Sequence, residues 1–266
     1  MMESVSGIKH PAFQQALALT RPAERQRTGG YLVETSNLVS QALRSPSEVV
    51  SVFALPAETA ALAPECASRS VPLYEMGSGL LNKLVGTGYE TAVTAAAVVK
   101  RRVLAEEALP AQGEALMLAG EEIQDPRNVG VLIRTAEAAG CAALLLSTNS
   151  AEPYSRAAVR STTGSILRLP LCLCADLAAT LRRLRERGVS VIASSAHAPA
   201  SAYSSRLDRR PLVIVVGNET AGISAAVRAE ASEFVALPMA PDGASSLNVT
   251  VAAGILLYEA LRQALT

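Results

Sequence analysis

The second half of this chain alternates strand-sized apolar runs with amphipathic stretches, and that alternation restricts the fold more than any other feature. From residue 115 the expected order is a strand over 115–119, a polar loop over 121–128, a helix over 129–139 closed by Gly140, and a strand over 142–146. A helical turn over 155–162 and a helix over 177–187, closed by Gly188, follow. Strands over 189–193 and 212–216, a helix over 224–231, a strand over 234–237 and a long helix over 249–264 complete the half. The run LVIVV at 212–216 has no polar face, so it must be covered on both sides. Such strands belong to a parallel sheet between helices. Ligands of such sheets lie beyond the carboxyl ends of the strands, which directs attention to loops 121–128, 194–199, 217–223 and 238–248.

The first half reads as a smaller α/β unit. Gly29 and Gly30 break the chain before an apolar run at 31–33. A helix over 36–43, a strand over 49–55, a helical stretch from Pro56, a short strand over 71–74, a helix over 78–85 and a closing strand over 92–99 follow. The expected organisation is a domain over 1–105, a polar linker over 106–114 holding Pro110 and Gly113, and a second domain over 115–266.

Composition narrows the class. With 266 residues, 50% hydrophobic content and zero formal net charge, the chain can build a core and is not a disordered tail. No apolar run approaches the roughly 18 residues of a membrane span. The start lacks a basic segment followed by an apolar one, so no secretory signal and a cytoplasmic location are expected. Cys172 and Cys174 form a CxC without a second pair at metal spacing, and only His10 and His197 could add imidazole. Buried free thiols and no metal are therefore expected. The basic residues are almost all Arg, with only Lys9, Lys83 and Lys100 as lysines. Arg suits planar phosphate recognition, although the run at 182–187 reads as a solvated helix face.

Three loops could carry chemistry. Gly217-Asn-Glu-Thr-Ala-Gly222 follows the 212–216 strand. It has Ile223 where a phosphate loop needs Lys, and no GxGxxG occurs in the chain. The loop is therefore either a close backbone approach to a ligand or a plain turn. In the segment from Leu237 to Asn248, Ser246 can cap the following helix and Asn248 sits in its first turn. In Asp125-Pro-Arg127-Asn128, Asn128 can cap the helix that carries Arg134 among apolar neighbours. Singly, each segment is also explained by a cap or a surface salt bridge.

In order and spacing, however, the three together resemble the SpoU family of RNA 2'-O-ribose methyltransferases, within the SPOUT superfamily. The matching residues are Asp125-Pro-Arg-Asn128-Val-Gly130, Arg134-Thr-Ala136 and Gly140, then Val215-Val-Gly217-Asn-Glu219-Thr-Ala-Gly222. Leu237-Pro-Met239, Ser246-Leu-Asn248-Val and Leu257-Tyr-Glu259 complete the match, which spans about 115–266. More weakly, Gly30-Tyr-Leu-Val-Glu34 and the α/β order resemble the L30e-like substrate-binding domain of many members. Thr35 stands where those members carry Gly, and their Pro-Gln-Gly segment is absent near 88–94. Arg160-Ser-Thr162-Thr-Gly164 carries Thr in place of the family's Ser.

The resemblance implies an α/β SPOUT domain with a parallel sheet and a deep trefoil knot, a rare departure from unknotted topology. It implies S-adenosyl-L-methionine as cofactor, an RNA substrate, with rRNA expected, and a homodimer with the active site at its interface. It implies Arg134 as the catalytic residue, acting on the ribose hydroxyl with help from an RNA phosphate; because a guanidinium is a poor base, the expected role of Arg134 is to orient the ribose and stabilise developing negative charge. Asn128 would position the ribose or phosphate, Glu219 would orient Arg134 or the loop, and Ser246 and Asn248 would complete the centre. Gly217, Leu237, Met239, Leu247 and Ser246 would contact the methyl donor. Phosphate contacts would come from Arg21, Arg25, Arg27, Arg127 and Arg160. The alternatives are a transfer RNA 2'-O-methyltransferase and a non-catalytic RNA-binding protein on the same scaffold.

Overall fold

The computed structural model of the chain describes residues 2–86 and 93–265. Two compact units form, one from Met1–Arg102 with Tyr154–Arg168, the other from Val103–Pro153 with Leu169–Thr266. The first contains β1 (Met2–Val5), α1 (Pro11–Ala18), α2 (Pro22–Thr28), β2 (Gly30–Glu34) and α3 (Ser36–Arg44). It continues through β3 (Val49–Ala54), α4 (Pro56–Ser68), β4 (Leu73–Met76), α5 (Ser78–Val85) and β5 (Ala95–Lys100). The sheet order is β1-β4-β3-β5-β2, with β5 antiparallel to both its neighbours. Phe13, Phe53, Leu81 and Leu84 fill its core. Pro in the first turn of α1, α2 and α4 costs no hydrogen bond there and pre-sets the backbone. The closing strand begins at Ala95 rather than 92; residues 87–92 lie outside the described residues.

The second unit opens with β6 (Leu116–Gly120), α6 (Pro126–Ala138) and β7 (Ala143–Ser147). The segment Tyr154–Arg168, with α7 (Arg156–Ser161), interrupts it in sequence but belongs to the first unit, a discontinuity the boundary at 115 does not anticipate. The unit resumes with β8 (Leu171–Cys174), α8 (Leu177–Glu186), β9 (Ser190–Ser194), β10 (Ala200–Ser201), β11 (Leu212–Val216), α9 (Ala225–Glu230), β12 (Glu233–Ala236) and α10 (Val249–Ala264). All seven strands are parallel, in the order β10-β12-β9-β11-β6-β7-β8. Val213 and Val215 of β11 face Leu177, Leu181 and Val227 of α8 and α9. Leu212, Ile214 and Val216 are equally buried on the other face, where α10 packs on β11 and on α6. Leu109, in the expected linker, is buried in this core. All four cysteines are buried and free. Burial pushes the Cys66 thiol up to about 11 and Cys141 up to about 12.

Candidate functional site

Loops 121–125, 217–224 and 237–248 follow β6, β11 and β12 and so leave the same, carboxyl edge of the sheet. The first runs into α6, whose start differs from expectation. Asp125, not Asn128, is the N-cap, and its carboxylate accepts from the Arg127 N–H at 2.7 Å. Pro126 opens the helix. Periodicity dates the helix from its first apolar residue, Val129, and misses this polar first turn. Asn128 is thereby inside the helix, its amide free to reach sideways. At α10 the correction runs the other way. Asn248, not Ser246, is the N-cap, its Oδ1 accepting from the Thr250 N–H at 2.9 Å and from Thr250 Oγ1 at 2.6 Å. Ser246 lies two residues earlier, exposed on the loop beside the half-exposed Leu247.

The two helices bring their amides together. Asn248 Nδ2 donates to Asn128 Oδ1 at 3.4 Å, and Asn128 Nδ2 donates to Glu219 Oε1 at 2.8 Å. Glu219 Oε2 accepts from the Gln124 N–H at 3.2 Å. Burial works against the charge of Glu219. Hydrogen bonds from Asn128 and from the backbone N–H groups of Glu219, Gln124 and Asp125 outweigh it and hold the carboxyl below its ordinary range. The carboxylate also bonds Asn128 in the first turn of α6, whose N-terminal partial positive charge favours an anion. Glu219 is thus bonded to Asn128 and the loop, not to Arg134.

Arg134 stands apart from this cluster. Six residues on a helix turn about 600°, so Arg134 points roughly 120° away from Asn128 and about 9 Å further along α6. Its side chain is exposed and has no hydrogen-bond or ion-pair partner among the described residues.

The 217–222 loop is shaped by backbone contact. Asn218 and Gly222 exchange backbone hydrogen bonds at 2.9 and 3.0 Å, closing a tight turn. A Cβ on Gly217 would lie 2.4 Å from Gly222 C and O, so glycine is obligatory there. The Asn218 side chain, which the motif spacing did not single out, accepts from the Thr220 and Ala221 N–H groups and donates to Glu122 O at 2.8 Å. Glu122 has a left-handed backbone, φ +51°. Its carbonyl also accepts from Gln124 Nε2 and its N–H donates to Ser147 Oγ. Gln124 and Ser147 are likewise functional supports that sequence reasoning missed. Ser147 is the last residue of β7 and Gln124 lies in the loop after β6, and neither stands out in the sequence. Glu121, buried, accepts from the Ser224 N–H at 2.8 Å and so anchors the start of α9. Leu237 and Met239 are half-buried at the start of the third loop.

The expected phosphate ligands divide. Arg25 is buried, and its Nη1 donates to the carbonyls of Leu19 and Thr20 at 2.8 and 3.0 Å, a structural use that removes it from the set. Arg21 and Arg160 are exposed. Arg27 is exposed and paired with Glu24 at 2.8 Å. Arg127 is exposed in the first turn of α6 and pairs loosely with the N-cap Asp125 at 3.9 Å. Among the described residues no group of three or more His, Cys, Asp or Glu could hold a metal, and no helix is long and apolar enough to cross a membrane.

Comparison with known proteins bears on the same segments. The sequence profile of the SpoU rRNA methylase family matches residues 115–258. The 23S rRNA (guanosine(2553)-2'-O)-methyltransferase RlmP of Bacillus subtilis is 30% identical over 97% of this chain and 98% of its own. An AdoMet-bound rRNA methyltransferase from Sinorhizobium meliloti superposes with a TM-score of 0.89 at 25% identity, covering 100% of this chain and 99% of that one. The SpoU methyltransferase AviRb from Streptomyces viridochromogenes, in complex with AdoMet, gives 0.85 at 28% identity over 97% and 99%.

Proposed function

The chain belongs to the SpoU rRNA methylase family, and from that premise we propose that it is an S-adenosyl-L-methionine-dependent enzyme methylating a ribose 2'-hydroxyl in ribosomal RNA. The observation that carries the reading is the unbroken hydrogen-bond path Asn248–Asn128–Glu219, which joins all three motif loops at one edge of the sheet. The residues fit the donor. Gly217 lets two stretches of backbone approach too closely for any side chain, and residues 240–248 are exposed. Gly217, Leu237, Met239, Ser246 and Leu247 would hold the adenosyl group, mainly through backbone groups. When bound, the donor supplies an electrophilic methyl group. The acceptor would be the ribose hydroxyl oxygen, whose proton would pass to solvent water.

The side chains divide the remaining work. Donors on both oxygens hold the Glu219 carboxyl below its ordinary range, which makes it a weak base, so it orients Asn128. Asn128 and Asn248, their carbonyl oxygens occupied, present N–H groups to an acceptor oxygen of the ribose or phosphate. Arg134 stabilises the charge developing on the oxygen. Because Arg134 faces away from Asn128 in its own chain, a second copy must bring it. An exposed apolar stripe on α10, with Val251 at 48% and Tyr258 at 51% exposure beside Leu247, supports a homodimer across α6 and α10. The first unit, with Arg21, Arg27 and Arg160, together with Arg127 of the second, would grip RNA phosphates in a salt-dependent manner. A knotted passage after β12 belongs to the same reading. Its support is the chain's return from the outer side of the sheet to α10, packed on β11 and α6.

The test is methyl transfer from labelled donor to purified rRNA and tRNA in parallel, with donor binding followed by calorimetry. Label in rRNA and saturable heat are expected. Label confined to tRNA supports the transfer RNA alternative, and RNA binding without donor heat supports the non-catalytic one.

A further inference from the structure

Thr250 lies outside the motif residues, in the first turn of α10, yet its hydroxyl makes the shortest contact of the site, 2.6 Å to Asn248 Oδ1. The bonds that follow all run one way. Thr250 Oγ1 donates to Asn248, Asn248 Nδ2 to Asn128 Oδ1, Asn128 Nδ2 to Glu219 Oε1. Each link is a donor pointing towards the carboxylate, the arrangement in which hydrogen bonds strengthen one another.

We infer that Thr250 is a positioning residue for methyl transfer, acting through Asn248 to keep both asparagine amides turned with N–H towards the substrate. This role rests on the proposed rRNA methyl transfer and deepens it. An amide can be turned over, exchanging its oxygen and nitrogen, at little steric cost. The backbone N–H of Thr250 already favours the oxygen at Asn248, because two donors cannot face each other. The hydroxyl adds a second donor to that oxygen and fixes the distance as well as the sense. Without it the cap survives on one hydrogen bond, and the weak 3.4 Å link to Asn128 is the one that gives.

The inference separates from simple helix capping by substitution. Thr250→Val keeps the shape and the backbone N–H and removes only the hydroxyl; Thr250→Ser keeps the hydroxyl. The expected result for Val is kcat lower by about fivefold, with KM for rRNA and donor affinity unchanged, and for Ser a kcat within about twofold of the parent. The side-chain amide resonance of Asn128, read by NMR on the full-length protein, should shift in the Val variant and return in the Ser variant. An unchanged kcat in Thr250→Val, a change in KM alone, or an unmoved Asn128 resonance overturns the inference. The resonance also keeps the two claims apart. If it behaves as expected while the parent protein methylates no RNA, the hydrogen-bond path stands and the proposed function falls.

Discussion

Arg134 and Glu219 are held in opposite ways, and their variants should fail differently. Arg134 has no described partner, so truncating it leaves no buried group unpaired. Arg134→Ala should lower turnover by about a hundredfold or more while calorimetric donor affinity and melting temperature stay near those of the parent. Arg134→Lys should fail nearly as badly, because a point charge cannot replace the planar fork. Glu219 is wired into two loops. Its folded carboxyl lies below the ordinary value, so it adds stability that is complete above about pH 4.3 and is lost as pH falls through the lowered folded value. Denaturant unfolding between about pH 6 and pH 3 should show that loss, and Glu219→Gln should flatten it. An equally steep acid limb in the variant would assign the loss to other carboxylates. Glu259, held at about 2 by Arg262 and Gln263, is the first to check, its contribution vanishing between the ordinary value and about pH 2.

At the scale of elements, two glycines make opposite predictions. A Cβ at Gly217 meets backbone at 2.4 Å, and backbone cannot step aside. Gly217→Ala should destabilise the second unit by more than about 2 kcal/mol and abolish donor binding, measured by thermal melting and calorimetry. In α10, a Cβ at Gly254 meets only Thr135 Cγ2, at 3.5 Å, an ordinary contact. In the monomeric Val251→Asp, Tyr258→Arg background, Gly254→Ala should raise stability by about 0.5–1 kcal/mol through helix propensity, measured by thermal melting. Legibility divides along the same physical lines. The helix Val249–Ala264, the strand Leu212–Val216 and the helix Ser78–Val85 fall where their periodicity places them, because long one-sided or fully apolar patterns admit few alternatives. The start of α6 was hidden by its polar first turn. The short strand β8 was not assigned beyond its CxC, because four residues ended by Asp176 leave almost no pattern. Asn128, Arg134, Glu219, Ser246 and Asn248 stand out in the sequence only as a spaced set. Their bonding does not, since whether Glu219 meets Asn128 or Arg134 depends on helix phase and loop closure, which no linear spacing contains.

For the whole molecule, the separation of Arg134 from the asparagine–glutamate cluster is the consequential feature. Tyr258→Arg combined with Val251→Asp should convert a dimer to folded monomers in analytical ultracentrifugation and remove turnover. Mixing Arg134→Ala with Asn128→Ala copies should restore part of the activity that neither has alone, because a mixed dimer then contains one complete centre. Failure to complement would place Arg134 in its own chain's site. The most direct test of the account is the chemical position of the transferred methyl group. After reaction with labelled donor and rRNA, digestion to nucleosides and mass spectrometry should find the methyl on the ribose, at the 2' oxygen, and Arg134→Ala should abolish it. A methyl group on a base, or none transferred at all, would contradict it.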